Sequence, residues 1–331
     1  MPEKVLLTGA TGLLGSQVLG VLLERGHQVR ALRRANSRME MAGQWSGAVE
    51  WIEADITDIV ALEDAFEGIT QVCHCAAVVS FHPRDIRRMM QINVEGTANL
   101  VNLALDFGVR RFIHTSSIAA LGRSKDRTHL DENSKWENSP LNSQYAISKY
   151  LSEQEVWRGA AEGLSVGVVN PSIIIGAGYW QENTARFFDQ IFHGLKFCPK
   201  GSTGLVDARD VARFMVLLME SDITEERFVL NGANITYRHF FDLIARELNV
   251  PAPSIHVSSW MAELAWRVEW LREKLTGSAP VVTRETARSS SQSFTYGNER
   301  SLKYFPDFQY RSIDETIRDA AAKYLEYVHK K

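Results

Sequence analysis

From its first residues the chain alternates short apolar runs of β type with longer segments of helical periodicity, the sequence form of βαβ units and a parallel sheet. VLLTG at 5–9 reads as a buried strand. QVLGVLLERG at 17–26 follows, with apolar residues at Val18, Leu19, Leu22 and Leu23 in a helical stripe that ends at Gly26, where a glycine readily closes a helix. HQVRALRR (27–34) returns as a second strand. VEWIEAD (49–55), QVCHCAA (71–77), RFIHTSS (111–117) and LSVGVVN (164–170) continue the series, separated by helical patterns at 58–67, 84–107 and 144–161. The expected fold is α/β, a doubly wound parallel sheet of the Rossmann type. After about residue 171 the alternation becomes irregular, with loops such as GAGYW (176–180) and CPKGSTG (198–204). Residues 1–170 are therefore expected to form a dinucleotide-binding domain with a return contribution from about 204–232. Residues 171–331 would form mainly a smaller substrate-binding lobe, and the polar run RSSSQS at 288–293 reads as a loop.

Composition narrows the partners. The 37 basic and 40 acidic residues leave a formal charge of −3, which argues against a nucleic acid. A hydrophobic fraction of 45% over 331 residues is that of a globular chain larger than one simple core supports. Three cysteines cannot make a disulfide framework and point to a reducing compartment, the cytoplasm. No stretch approaches the roughly 20 apolar residues of a membrane span, and Met1-Pro2-Glu3-Lys4 runs into the first strand without a signal-peptide pattern. The expected partner is a small-molecule substrate, and the expected assembly a monomer or homodimer.

Immediately after the first strand comes TGATGLLG (8–15), opening the helix. Glycines at Gly9, Gly12 and Gly15 allow a tight turn, close backbone approach to a pyrophosphate, and close packing of helix on strand. The helix start presents unpaired N–H groups to phosphate. Which dinucleotide binds is read at the end of the second strand, where an acidic residue would hold the ribose 2′-hydroxyl of NAD. Arg33 and Arg34 stand there instead, which suits the 2′-phosphate of NADP, a solvated basic edge being the plainer alternative; Arg38 could add to it. Asp55 lies where an adenine-edge contact is possible, although it is also an ordinary turn residue.

Tyr145 and Lys149 stand four residues apart in a helical segment and so share one face. Tyrosine is a poor acid–base group near neutrality, and a neighbouring ammonium favours its phenolate. Ser116 and Ser117 fall at the carboxyl end of a strand, where open α/β sheets place their ligands.

These residues resemble the extended short-chain dehydrogenases/reductases, the NAD-dependent epimerase/dehydratase family, over nearly the whole chain. TGATGLLG is similar to the family's TGxxGxxG, EADITD (53–58) to its adenine-side acidic motif, HCAAVVS (74–80) to its fourth-strand motif, and INVEGTANL (92–100) to the helix that follows. TSSIAALG (115–122) resembles the catalytic-serine strand, with Ser117 on the catalytic position, and YAISK (145–149) the YxxxK motif. NPSIIIGAG (170–178) resembles the nicotinamide loop, and LVDARDVARFMVLLME (205–220) a later strand-loop-helix. The resemblance implies that Ser117 polarises the reacting oxygen, Tyr145 exchanges its proton, and Lys149 holds the nicotinamide ribose while lowering the pKa of Tyr145. It also implies cofactor contacts from Gly9, Thr11, Gly12, Leu13, Leu14, Arg33, Arg34, Asp55, Ile56, Ala76, Ala77, Tyr145, Lys149, Pro171, Ser172 and Ile173. Asn93 ranks lower, as a tether of backbone or water.

Departures from the family narrow the chemistry. No acidic pair follows Ser117, as sugar dehydratases carry, and the arginines typical of sugar epimerases are replaced in Asn170-Pro171 and Gly204-Leu205-Val206-Asp207. NPSxxxG followed by KFCPKGSTGLVDARDVA (196–212) is similar to the dihydroflavonol-reductase and cinnamoyl-CoA-reductase-like branch, which implies NADP(H)-dependent reduction of a ketone, aldehyde or thioester. The alternatives are a nucleotide-sugar epimerase using the same three residues and a non-catalytic NADP-sensing scaffold. Phe81, Trp136, Tyr179, Trp180, Phe187, Phe188 and Phe197 are candidates for an aromatic pocket, and His82, Arg84, Arg123 and Arg186 for polar anchors. Cys73-His74-Cys75 has metal-type residues, but in a strand the thiols share one face and the histidine the other, so no metal is expected. Trp260, Leu264, Val268, Leu271 and Leu275 share a helical stripe that reads as a cover over the cleft rather than a membrane anchor.

Overall fold

The computed structural model describes residues 3–124, 126–257 and 283–330, with isolated positions between 261 and 274; the tryptophan-rich stripe lies essentially outside the described residues. Seven strands form the main sheet: β1 (Lys4–Thr8), β2 (Gln28–Arg33), β3 (Glu50–Glu53), β4 (Gln71–His74), β5 (Arg111–Thr115), β7 (Val166–Pro171) and β11 (Glu226–Leu230). A short β6 (His129–Leu130) intervenes in the chain. Their spatial order is β11-β7-β5-β4-β1-β2-β3, and every pairing is parallel. The chain winds outward from β1 to β3, then restarts at β4 and winds the other way. The order thus reverses between β1 and β4, and their carboxyl ends frame the crevice where open α/β sheets take ligands.

Helices α1 (Leu13–Glu24) and α7 (Ala208–Glu220) cover one face; α2 (Ile59–Phe66), α4 (Gly96–Asp106) and α5 (Gln144–Ala161) cover the other. Covered on both faces, strands such as β1, β4 and β7 are buried along nearly their whole length rather than at alternate residues. The expected single helix over 84–107 is instead α3 (Ile86–Met90), a π-helical turn at Gln91–Glu95, and α4. That turn places Asn93, 1% exposed, beneath the β4 loop. π-turns recur at functional positions because they re-aim one side chain.

In the second half, β8 (Ile173–Ile175), β10 (Ser202–Asp207) and β12 (Ala233–Thr236) make a separate three-stranded sheet. With α6 (Arg186–Phe192), α8 (Tyr237–Leu248) and the C-terminal helix Ile313–His329 it encloses its own apolar core, while β11 and α7 return to the main sheet. Two short pairs, β9 (Phe197–Cys198) with β13 (Ile255–His256) and β14 (Thr295–Tyr296) with β6, tie loops together. The polar run at 288–293 is not wholly a loop, because helix Arg284–Ser290 covers its first part. A capping box between Thr283 and Thr286 starts that helix, a local signal that outweighs the serines. Among the described residues no helix is long and apolar enough to cross a membrane.

The β1–α1 turn depends on two glycines. Gly9 has φ +72°, and a Cβ there would lie 2.7 Å from the amide nitrogen of Ala76. A Cβ on Gly15 would lie 2.0 Å from the Gly9 carbonyl oxygen, so helix and turn meet only because that side chain is missing. Gly12 is different: its nearest neighbour would be the same oxygen at 3.4 Å, an ordinary contact. Gly15→Val is expected to lower unfolding free energy by about 1–3 kcal/mol and Gly12→Ala by no more than about 0.5 kcal/mol. Urea denaturation of both variants checks this, and equal losses would remove the packing argument.

Candidate active site

The site lies where α5 crosses the carboxyl end of β5. Ser143 caps α5, its hydroxyl accepting from the Ala146 amide, so the helix starts just ahead of Tyr145. Along the buried face, Tyr145, Lys149 and Glu153 recur every fourth residue, and each reaches a different residue of the β5 end. Tyr145 lies close to the Ser117 hydroxyl. The Lys149 ammonium, 2% exposed, donates to the Thr115 carbonyl oxygen at 2.7 Å. Glu153, 1% exposed, accepts from the Ser116 hydroxyl at 2.6 Å. Of the two adjacent serines, Ser117 therefore meets the tyrosine while Ser116 turns inward.

Burial governs the electrostatics here. It pushes the Tyr145 phenol above its usual range, with the Ser117 hydroxyl opposing. The sequence led instead to a phenol lowered by Lys149. The difference arises because the ammonium is aimed at the Thr115 carbonyl and burial is the dominant influence on the phenol. Lys149 itself is brought down from 10.5 to about 8, first by burial, with Glu153 acting in the opposite sense. His74 is lowered to about 3 by burial and then by Lys149, so it is a neutral ring; its nitrogens are taken by Thr8 at 2.7 Å and Thr97 at 2.9 Å. The neighbouring thiols point elsewhere, Cys73 to Met219 and Cys75 to Thr115.

The β4 loop links this centre to the glycine turn. The Thr8 hydroxyl accepts from the amides of Cys75 and Ala76 at 3.2 and 3.1 Å, which sets Ala76 and Ala77 along the crevice. Asn93 clamps the loop further on, bonding Val78 through both backbone groups and the Ser148 hydroxyl of α5 at 3.0 Å. Its tethering role thus extends to the helix that carries Tyr145 and Lys149.

The residues present fit a dinucleotide. α1 begins at Gly12 with no side chain capping its first N–H groups, leaving those of Leu13 and Leu14 beside Thr11 for a phosphate. At the β7–β8 junction, between Pro171 and Ile173, the Ser172 hydroxyl is buried without a partner. Beyond β2 and β3 a cavity of about 510 Å³ is lined by Arg34, Asn36, Asp55, Asp58, Ala61 and Arg88. Asp55 spends one oxygen on the Thr57 backbone and hydroxyl, and the Ile56 carbonyl is held by Asn99. The three arginines named from sequence separate. Arg34 is exposed on the cavity wall, Arg33 lies 3.7 Å from Glu53, and Arg38 is tied to Glu182 at 2.5 Å and lies over the Tyr179 ring.

Few of the candidate substrate residues gather at the site. Phe81 packs edge-on to Tyr145 at 5.8 Å between ring centres. Trp136 stacks on Tyr150, Trp180 and Phe188 belong to the second core, and Phe187 packs on Phe240 and Phe241. Phe197 is exposed, and Tyr179 bonds toward Thr11 and the Arg38 backbone. His82 caps a short turn at Arg84, Arg186 starts α6, and Arg123 hydrogen-bonds Ser289 and lies over Phe294. Arg88, Glu153 and Arg227 are the residues that sequence reading passed over. Only Glu153 carried a local signal, as the next step of the Tyr145–Lys149 stripe.

Comparison with known proteins agrees with this fold. The model of the NAD dependent epimerase/dehydratase family matches residues 5–230. A putative dihydroflavonol 4-reductase of Synechocystis sp. is 30% identical, over 97% of this chain and 94% of that protein. Cinnamoyl-CoA reductase 1 of Oryza sativa subsp. japonica is 34% identical over 70% of this chain and 71% of that protein. Among solved structures, gox2253 superposes with a TM-score of 0.84 at 29% identity, covering 99% of both chains.

The buried ammonium has a cost that pH exposes. Because the folded value of Lys149 lies below the unfolded one, the folded state is penalised at neutral pH and relieved between about 8 and 10.5. Lys149→Met is expected to raise unfolding free energy by about 2 kcal/mol at pH 7, a gain that fades as pH climbs through that window. Thermal melts from pH 7 to 10.5 measure it; a gain independent of pH would contradict a charged, buried Lys149.

Proposed function

Since the chain belongs to the NAD dependent epimerase/dehydratase family, we propose that it is a cytoplasmic NADP(H)-dependent reductase of a carbonyl group on a hydrophobic small molecule. It is an oxidoreductase of the dihydroflavonol-reductase and cinnamoyl-CoA-reductase-like branch, and takes a nicotinamide cofactor. One observation carries the catalytic reading: the Ser117 hydroxyl lies close enough to Tyr145 to act on its phenol, one helical turn from the buried Lys149 ammonium and beside the β4 loop that packs on the glycine turn.

When bound, the nicotinamide supplies the hydride. Gly9, Thr11, Gly12, Leu13 and Leu14 would hold the pyrophosphate, Asp55 and Ile56 the adenosine, and Ala76, Ala77, Pro171, Ser172 and Ile173 the nicotinamide side. Tyr145 gives its proton to the carbonyl oxygen, and Ser117 donates a hydrogen bond to the same atom. A phenol held above its usual range keeps its proton at neutral pH and so suits the general-acid role in reduction. Lys149 would hold the ribose hydroxyls, its positive charge favouring the phenolate left behind.

Arg34 supports NADP(H) over NAD(H). It is the one of the three arginines that lines the adenosine-side cavity, while Arg33 and Arg38 face carboxylates. Phe81 against Tyr145 supports an apolar substrate face. All three cysteines are unpaired, in keeping with the cytoplasm.

The test is consumption of NADPH and NADH by the purified protein against ketones, aldehydes and acyl thioesters. Tyr145→Phe is expected to lower kcat by about 10³-fold with NADPH affinity nearly intact. Equal loss of turnover and affinity would remove the assigned role. Silence across the panel with cofactor bound would favour a sugar substrate or a sensing function. Arg34→Asp is expected to reduce the NADPH:NADH ratio of kcat/KM by about 10-fold or more, and an unchanged ratio would return the arginine to a solvated edge.

A further inference from the structure

The Tyr145–Lys149 stripe has a third member that the reductase reading leaves without a task. Glu153 is a carboxylate almost wholly removed from water, which requires full pairing. One oxygen accepts from Ser116 at 2.6 Å and from Asn170 of β7 at 2.8 Å. The other accepts from the Trp157 indole at 3.1 Å and from Arg227 of β11 at 3.2 Å. The same Asn170 amide also donates to the Ser117 carbonyl oxygen at 3.0 Å. Glu153 therefore joins α5 to the ends of β5, β7 and β11, and two of its bonds reach Ser117 through one intermediate residue. Arg227 is in turn fixed by the carbonyl oxygens of Glu132 and Ser134.

We infer that Glu153 is a positioning residue for the reaction: through Ser116 and Asn170 it holds Ser117 in register with Tyr145, and through its charge it keeps the Lys149 ammonium in place. The inference rests on the reductase reading of Ser117, Tyr145 and Lys149. The groups facing Lys149 are Thr115 and His114 from β5, His74 and Cys75 from the β4 side, and Tyr145 and Glu153 on its own helix. Burial keeps both histidines neutral and pushes the Cys75 thiol up to about 11, so Glu153 is the carboxyl group of this set whose charge opposes the desolvation of the ammonium. The Arg227 guanidinium faces Glu153 from the opposite side and balances it.

Removing that charge should let Lys149 lose its proton at lower pH. Glu153→Gln keeps the size of the side chain. It is expected to lower kcat for NADPH-dependent reduction about 10-fold at pH 7 and to move the alkaline limb of the kcat profile down by about one pH unit, with substrate KM little changed. The pH dependence of NADPH affinity, read by fluorescence titration without substrate, should shift in the same direction. A uniform fall in kcat with both profiles in place would reduce Glu153 to a structural residue and overturn the charge role. Glu153→Asp keeps the charge but withdraws it from Ser116: its profiles should stay in place while kcat falls. An Asp variant with the parent's kcat would overturn the positioning role, and decides that point even if the Gln variant does not fold. Absence of Tyr145-dependent turnover in the parent protein would sink the reductase reading alone, because the NADPH-affinity profiles still test Glu153.

Discussion

Between α5 and the end of β5 an ammonium and a carboxylate are buried one helical turn apart, and each is removed from water only because the strand end supplies its partners. Lys149 takes the Thr115 carbonyl, and Glu153 takes the Ser116 hydroxyl and the Asn170 amide. A buried charge left unpaired costs several kcal/mol, so these contacts fix the helix against the strand more tightly than apolar packing, which tolerates small slips. The register of Tyr145 with Ser117 follows from that docking. So does the course of the β4 loop, since Asn93 ties it to Ser148 on the same helix.

The same economy recurs where the second half of the chain meets the sheet. Asp207, at the start of α7, accepts from Arg209 and from Thr316 of the C-terminal helix, which holds its carboxyl below the usual range against the effect of burial. Asp210 one turn later takes Arg311. The C-terminal helix is thereby fastened to the strand-helix unit that returns to the main sheet. The lobe around α6 and α8 stands on that anchorage, with its own core of Phe188, Phe240, Phe241 and Tyr324.

Beyond β2 and β3, arginine count and arginine availability are different things. Three guanidinium groups stand at the end of β2 or shortly after it, yet two face carboxylates and one lines the cavity. Tyr179 and Glu182, from the loop after β8, reach across to Arg38. The two halves of the chain therefore touch above the glycine turn as well as beneath it.

What the amino-acid sequence determined by itself is the part governed by local periodicity. Apolar runs and 3.6-residue stripes specified the sheet and most helices, TGATGLLG the glycine turn, and the four-residue spacing of Tyr145 and Lys149 their shared face. Each of these signals acts over a few residues, and close backbone approach permits no substitute for Gly15. What only the tertiary structure decided is how distant residues pair. Glu153 meets Ser116, Asn170 and Arg227 across separations of 37, 17 and 74 residues. The split of one helix at Asn93, the inward turn of Ser116, the tying of Arg38, and the presence of Arg88 in the cavity beyond β2 and β3 are of the same kind. So is the scattering of the aromatic residues, of which only Phe81 meets Tyr145. Partner choice in a core depends on strand order and on which polar groups burial leaves to be satisfied, and neither quantity is written in the neighbourhood of a single residue.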